Sequence, residues 1–403
     1  MTGPDRSALM RTYPEPPVTF VRGEGSYLFD AEGKRYLDFV GGLAVTSLGH
    51  SHPDVAAAVA TQARTLSHVS NLYGNELGPE VATTLDRLIG GGERAAGGQV
   101  FFCNSGAEAN ECALKLARRW AGPGRYVVVS AWNSFHGRTL ATLTATGQSA
   151  KHEPFEPLPT GFAHVDYDDL DALAKALEAP AAAGVLLEPI QGEGGVVAPS
   201  SDYLVGVREL CRERGVLLIL DEIQTGLGRT GHWFAFHATH LQPDVVTVAK
   251  ALGNGMPVGA CWATAEVAAA FGPGDHGSTF GGQPLAMAAA RATLAVMEEE
   301  DVCGRARTSG EVLASGLAAL PGVTGVRGAG LLLAAELSGP FAPAVAADAL
   351  DRGLLVNAVR PDAVRLAPSL LVTAGELDSA LALLGEALAR GAASAEAEGA
   401  VVR

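Results

Sequence analysis

The chain has 403 residues, of which 48% are hydrophobic and 18% charged, so it is long enough for more than one domain and too apolar to be intrinsically disordered. With 29 basic and 44 acidic residues its formal net charge is −15, and no basic block offsets it, so binding to nucleic acid is not expected. No apolar run reaches the roughly 18 residues of a membrane span, and the first residues lack the apolar core of a secretory signal. The five cysteines are scattered without CxxC spacing. We therefore expect a reduced, cytoplasmic protein without a membrane segment.

The first 49 residues contain a predicted hairpin, SYLFDAEGKRYLDF, with its turn at Glu32-Gly33. Between about 98 and 260, short apolar runs alternate with stretches long enough for a crossover helix. The runs are QVFFC (99–103), YVVVS (126–130), AGVLLEPI (183–190), VLLIL (216–220) and VVTVA (245–249). This alternation predicts a mainly parallel sheet covered on both faces, with ligands bound at the carboxyl ends of its strands.

Polar residues follow these runs at Asn104-Ser105-Gly106, Glu188, Asp221-Glu222 and Lys250, so we expect them to converge on one site. Residues 295–403 are predicted to form a helix, a strand pair, a helix and a last helix at 374–391, followed by a frayed tail.

Two patterns are interpreted as structural. GLGRTG (226–231) fits the dinucleotide fingerprint G-x-G-x-x-G, but five residues separate it from the preceding strand, which favours an ordinary loop. A nucleotide-binding oxidoreductase is kept as an alternative on this pattern alone. Two histidine groups lack acidic partners at ligand spacing, so no metal site is expected: His50 with His52, and His232 with His237 and His240.

The segment FFCNSGAEANE (101–111) predicts a strand that passes directly into a helix. Small residues at Ser105, Gly106 and Ala107 leave backbone N–H groups free at the helix N-terminus, which favours an anion, although a plain capped helix fits this segment by itself.

Asp221 closes one buried apolar run and Lys250 closes the next, and a charge in such a place needs a partner or a chemical use. The alternative interpretations are that Asp221 only caps the following segment and that Lys250 is an ordinary surface lysine. The anion site at Ser105–Ala107, the carboxylate of Asp221 and the amine of Lys250 together match the needs of pyridoxal phosphate. These needs are a phosphate site, a partner for the pyridine nitrogen and an amine that forms a Schiff base.

Eight segments in order resemble the class III (subgroup II) pyridoxal-phosphate aminotransferases. They are GGLAVTSLGHSHP (41–53), NSGAEANECALKLAR (104–118), SFHGRT (134–139), LEPIQGEGGV (187–196), LDEIQTGLGRTG (220–231), PDVVTVAKALGNGMPVGA (243–260), HGSTFGGQPLA (276–286) and VRLAPSLLVT (364–373). Within the class, SNLYGNE (70–76) and FHGRT are most similar to the acetylornithine aminotransferases. The resemblance implies a fold type I (aspartate aminotransferase-like) α/β architecture, with a large pyridoxal-phosphate domain over 50–295 and a small α+β domain formed by 1–49 with 296–403.

The resemblance also implies the site residues. Lys250 would form the Schiff base and move the proton, Asp221 would pair with the pyridine nitrogen, and Gln224 would lie near the phenolic oxygen of the ring. The remaining cofactor contacts would be Ser105, Gly106 and Ala107 at the phosphate, Phe135 stacked on the ring, and Ser278 and Thr279 reaching the cofactor of the neighbouring subunit in a homodimer.

Three residues would bind substrate. Arg138 would bind one carboxylate, and Glu193 and Arg365 would form a switch pair that opens when 2-oxoglutarate or glutamate binds.

The implied reaction transfers the δ-amino group of N2-acetyl-L-ornithine to 2-oxoglutarate, giving N-acetyl-L-glutamate 5-semialdehyde and L-glutamate, as in arginine biosynthesis. The alternatives are another class III ω-aminotransferase, with ornithine, succinyl-diaminopimelate, 4-aminobutyrate or a lysine-pathway donor, and a non-catalytic homologue. Ala107, Gln283 and Gly74 depart from the usual pattern of the class, and Gly74 bears on the choice of donor.

Overall fold

The computed structural model describes the backbone of residues 8–401 and the side chains of residues 8–391. Its strands are β1 (Phe20–Glu24), β2 (Tyr27–Asp30), β3 (Arg35–Asp38), β4 (Gly98–Cys103), β5 (Val127–Ala131), β6 (Phe162–Val165), β7 (Ala182–Leu187), β8 (Leu217–Asp221), β9 (Val245–Val248), β10 (Gly259–Thr264), β11 (Val323–Ala329), β12 (Leu332–Leu337), β13 (Leu354–Leu355), β14 (Asn357–Arg360) and β15 (Ala363–Leu366).

Its helices are α1 (Gly41–Ala44), α2 (Pro53–Thr65), α3 (Leu77–Ile89), α4 (Gly106–Ala121), α5 (Leu140–Ala145), α6 (Ser149–His152), α7 (Leu170–Ala176), α8 (Tyr203–Arg214), α9 (Ala265–Ala268), α10 (Pro284–Glu299), α11 (Val302–Ala318), α12 (Ala342–Asp351) and α13 (Ala374–Val401). None of the described helices is both long and apolar enough to cross a membrane.

The central sheet has seven strands in the order β4-β10-β9-β8-β7-β5-β6. The pairs β9–β8, β8–β7, β7–β5 and β5–β6 are parallel, whereas β10 is antiparallel to both of its neighbours. Every residue of β7, β8 and β9 is buried, because helices cover both faces of the sheet. The predicted mainly parallel α/β sheet is confirmed.

Two four-stranded sheets flank it, in the orders β1-β2-β3-β13 and β11-β12-β15-β14. The antiparallel pair β2–β3 forms the predicted hairpin, and β3 pairs in parallel with β13. The N-terminal strands therefore share a sheet with a strand from the C-terminal part of the chain.

Two local expectations were wrong. The strand before Lys250 ends at Val248, and Lys250 begins a 3₁₀ turn with a φ of +42°. The last helix does not end near residue 391 but continues to Val401, through the tail that was expected to fray.

The GLGRTG segment forms consecutive turns, as the loop interpretation expects. Its Arg229 is 1% exposed and donates to the carbonyls of Leu331 and Pro368 and to the hydroxyl of Ser47. This side chain joins the central part of the chain to both flanking parts, and burial lowers its pKa to about 9.

Candidate active site

A cavity of about 390 Å³ lies at the carboxyl ends of β4, β5, β7, β8 and β9. The strands that face it run in one direction, so the residues after them meet at one edge of the sheet. The predicted site residues that line this cavity are Ser105, Gly106, Ala107, Phe135, Arg138, Glu193, Asp221, Gln224 and Lys250.

Lys250 is placed in the cavity wall by the 3₁₀ turn that follows β9. Burial lowers its pKa to about 8, and Arg365 acts in the same direction, against the opposing effects of Glu193 and Asp221. About a tenth of this amine is therefore uncharged at pH 7, far more than for an ordinary lysine, and the uncharged form is the nucleophile.

Asp221 is the last residue of β8 and is 4% exposed. Its Oδ2 accepts a hydrogen bond from Asn110 Nδ2 at 2.7 Å and lies 2.8 Å from His136 Nδ1. Thr247 in turn donates to Asn110 Oδ1 at 2.7 Å. This buried network holds the carboxylate in one orientation at the edge of the cavity.

The N-terminus of α4 forms one wall of the cavity. Ser105 caps the helix by accepting from the backbone N–H of Glu108 at 3.2 Å, and Gly106 and Ala107 begin its first turn. A Cβ on Gly106 would lie 2.8 Å from Ile223 Cδ1, so any other residue here would force that side chain to shift. The 16-residue helix directs its positive end at the cavity, which suits a phosphate.

Arg365 lies behind the cavity and is 3% exposed. Its Nη1 donates to Glu193 Oε1 at 2.6 Å and to Gln224 Oε1 at 3.2 Å, and its Nη2 donates to Asn357 Oδ1 at 2.9 Å. Burial is the largest single effect and raises the pKa of Glu193, but the charge and hydrogen bond of Arg365, together with Lys250 and Gln224, outweigh it, so the pKa is lowered. The structure thus places the predicted switch pair in direct contact.

Arg138 is exposed at the mouth of the cavity, with its guanidinium carbon 5.7 Å from the centre of the Phe135 ring. No carboxylate of the described residues forms an ion pair with it. An exposed, unpaired guanidinium beside a cavity is suited to bind a carboxylate ligand.

Ser278 and Thr279 do not line this cavity. They line a separate one of about 360 Å³, together with Asn104 and Phe280. Ser278 Oγ accepts from Asn104 Nδ2 at 3.2 Å, so the two cavities lie on either side of the segment that follows β4.

The sequence interpretation assigned no role to three residues that the structure places at the site. His136 and Asn110 orient Asp221. The only feature of the sequence that could have indicated this role is that His136 lies in FHGRT and Asn110 in the first turns of α4. Glu188, expected only as a residue at a strand end, lines the cavity and accepts from the backbone N–H groups of Phe135 and Gly192. Burial raises the pKa of Glu188 to about 7.

The residues present fit pyridoxal phosphate. A helix N-terminus, a fixed carboxylate, a lysine with a lowered pKa and an aromatic ring all line one cavity. Gly106 lies at this wall of the cavity, where a Cβ would crowd the side chain of Ile223. Ala107 offers a backbone N–H but no hydroxyl at this wall.

Comparisons with known proteins agree with this geometry. Residues 9–388 match the family described as "Aminotransferase class-III". The acetylornithine aminotransferase of Mycobacterium tuberculosis (strain ATCC 25618 / H37Rv) is 48% identical over 387 residues, which cover 96% of this chain and 95% of that protein.

Two solved structures are similar over nearly the whole chain. The ornithine aminotransferase from Toxoplasma gondii ME49 has a TM-score of 0.90 at 35% identity, covering 96% of this chain and 93% of that one. The acetylornithine aminotransferase from Elizabethkingia anophelis has a TM-score of 0.82 at 33% identity, covering 94% and 96%. With a family match over most of its length and relatives at this identity, the chain belongs to the class III aminotransferases, which use pyridoxal phosphate.

Proposed function

We propose that this enzyme transfers the δ-amino group of N2-acetyl-L-ornithine to 2-oxoglutarate, giving N-acetyl-L-glutamate 5-semialdehyde and L-glutamate. The observation that carries the proposal is the 48% identity to an acetylornithine aminotransferase over 96% of the chain. The arrangement of Lys250, Asp221 and the α4 N-terminus in one cavity supplies the chemistry that the reaction needs. The corresponding role is in arginine biosynthesis.

When bound, pyridoxal phosphate supplies an aldehyde that takes up the amino group and a ring that withdraws electrons from the substrate carbon. Ser105, Gly106 and Ala107 would hold its phosphate at the helix N-terminus. Asp221, oriented by His136 and Asn110, would keep a proton on the pyridine nitrogen. Phe135 would cover one face of the ring.

Lys250 has two tasks in this proposal. Its amine would hold the cofactor between turnovers, and once released it would act as the base that takes up and gives back the proton of the substrate carbon. The lowered pKa of Lys250 supports both tasks, since a general base acts best when its pKa lies near the working pH.

Two arginines would let one cavity accept two substrates. With acetylornithine bound, Arg138 would hold the α-carboxylate while Glu193 neutralises Arg365. With 2-oxoglutarate or glutamate bound, Glu193 would withdraw, Arg365 would bind the α-carboxylate and Arg138 the distal one. The Arg365–Glu193 contact at 2.6 Å supports the first of these states.

We further propose a homodimer in the cytoplasm and a division into a large domain over 50–295 and a small domain formed by 1–49 with 296–403. Three separate sheets, one of which joins β3 to β13, support the division. The placement of Thr279 outside the main cavity supports a role toward the cofactor of the partner subunit.

The test is a single half-reaction. Cofactor-loaded enzyme is mixed with N2-acetylornithine without a keto acid, and the visible absorbance of the bound cofactor is followed as it converts to its amine form, with ornithine and 4-aminobutyrate in parallel. We expect fast conversion with acetylornithine and slow conversion with the other donors. Conversion with ornithine but not with acetylornithine would contradict the proposed donor. Ornithine is included because the chain is similar to the ornithine aminotransferase from Toxoplasma gondii.

A further inference from the structure

The guanidinium of Arg365 is held by three acceptors of unequal character. Glu193 carries a charge, and its side chain is 31% exposed, whereas the side chain of Arg365 is 3% exposed. The other two acceptors, Gln224 Oε1 and Asn357 Oδ1, belong to neutral amides at 3.2 and 2.9 Å. Among the described residues Glu193 is the only charged partner of Arg365, and it is partly exposed to solvent.

Glu193 lies in a glycine-rich segment. Glycines surround it at 192, 194 and 195, and Gly195 has a φ of +112°. When Glu193 leaves, a buried guanidinium without other partners would lose its orientation and its charge would be uncompensated. Gln224 and Asn357 are uncharged, so they can preserve the orientation of the guanidinium but do not compensate its charge.

Asn357 is positioned by strand pairing. It begins β14, which runs antiparallel to β15, and its Cα partner in the register is Arg365. The amide thus lies beside the guanidinium on a neighbouring strand of the same sheet, and this strand pairing does not involve Glu193. Gln224 approaches from a different element, the loop after β8.

We propose that Asn357 is a positioning residue that keeps Arg365 oriented while Glu193 is displaced by the carboxylate of 2-oxoglutarate or glutamate. The inference rests on the proposed function, in which Arg365 exchanges one carboxylate for another. Neutrality is essential to this role, because a carboxylate at position 357 would pair with Arg365 permanently and compete with the substrate.

The experiment uses cofactor-loaded wild-type enzyme and the variants Asn357→Asp and Asn357→Ala. Binding of glutarate, a five-carbon dicarboxylate that cannot react, is measured by isothermal titration calorimetry. Single-turnover half-reactions then give half-saturation values for acetylornithine and, with enzyme in its amine form, for 2-oxoglutarate. Ser338→Asp adds the same charge at an exposed position of the C-terminal part and serves as the matched control.

We expect Asn357→Asp to weaken glutarate binding at least about tenfold and to raise the half-saturation for 2-oxoglutarate equally, while the value for acetylornithine changes less than about twofold. Asn357→Ala should weaken glutarate binding by a smaller factor in the same direction, and Ser338→Asp should change nothing. Unaltered glutarate binding in both Asn357 variants, or an equal loss for both substrates, would overturn the proposal.

The proposed donor and the proposed role of Asn357 are contradicted by different results. A wild-type enzyme that binds glutarate but does not accept acetylornithine overturns the proposed donor, and the glutarate affinities of the variants still decide the role of Asn357. Because the alanine variant introduces no charge, it decides the question even if the aspartate variant folds poorly.

Discussion

Lys250 shows how one side chain is prepared for chemistry by its surroundings. Its backbone has a φ of +42°, which is unfavourable for a residue with a Cβ, and its amine lies in a cavity with Asp221 and Glu193. Burial disfavours the ammonium form, and the two carboxylates only partly offset this effect. A strained backbone and a desolvated amine both cost stability, and the proposed role of Lys250 accounts for the second of these costs.

Replacing Lys250 by alanine should lower turnover by about a thousandfold or more, because both the covalent attachment and the proton transfer are lost. Steady-state assays with acetylornithine and 2-oxoglutarate measure the effect. Lys175 is exposed on α7, and Lys175→Ala is the matched control. Normal turnover in Lys250→Ala would disprove the mechanism.

The pKa of Lys250 predicts a pH dependence for cofactor attachment. Only the neutral amine attacks an aldehyde, so the rate constant for attachment to cofactor-free enzyme should rise about tenfold per pH unit below pH 8 and level off above it. The folded-state pKa lies below that of an ordinary lysine, so the same group costs stability fully below pH 8 and less as the pH rises further. Stopped-flow absorbance between pH 6 and 10 measures the rate constant for attachment. A rate constant that still rises at pH 10 would contradict the predicted levelling off.

At the scale of elements, close backbone contacts fix how helices lie on the sheets. Helix α11 packs against the turn between β11 and β12, where a Cβ on Gly310 would come within 2.3 Å of the carbonyl oxygen of Gly330. Glycine normally weakens a helix interior, but here it permits an approach that no side chain allows. The site depends on this packing, since Arg365 lies on β15, which pairs with β12.

Gly310→Ala should therefore lower the free energy of unfolding by about 2 kcal/mol, as overpacking does, although alanine has the higher helix propensity. Gly375, in the first turn of α13, has no atom within 4 Å of a Cβ position, so Gly375→Ala should leave stability unchanged or raise it by up to about 1 kcal/mol. Urea unfolding followed by circular dichroism measures both. A Gly310→Ala protein as stable as the Gly375→Ala protein would contradict the packing argument.

At the scale of the whole molecule, the distribution of exposed apolar side chains indicates an interface. Leu72 is 86% exposed, Tyr73 73% and Phe280 54%. Asn71 Nδ2 donates to the carbonyls of Ser278 and Gly281, so the two segments that carry these side chains touch. A contiguous apolar surface next to Thr279 is what a subunit interface with a shared site requires.

Leu72→Asp should therefore convert the proposed dimer into monomers and reduce activity with it, because burying a carboxylate at the interface is costly. Val21 is also exposed, at 65%, but lies on β1, and Val21→Asp should leave both properties unchanged. Sedimentation velocity and turnover are measured on the same samples. A Leu72→Asp protein that stays dimeric and active would place the interface elsewhere.

Much of this protein follows from local sequence. The alternation of apolar runs with helix-length segments predicted the parallel sheet, because strands buried on both faces must be apolar throughout. The residues after those strands predicted the site, since parallel strands end at the same edge. Lys250, Asp221 and Ser105 were expected in this way to lie close together, and the structure places all three in the wall of one cavity.

Tertiary structure alone decided the contacts between residues far apart in the chain. His136 and Asn110 meet Asp221 only because folding brings separate strands, helices and loops together, and no sequence period encodes those pairs. The lowered pKa of Lys250 was also decided by tertiary structure, because it depends on burial and on every charged group packed around the amine. Residue type and strand order determine where a site forms, but the orientation and charge state of its side chains are set by neighbours that local sequence does not reveal.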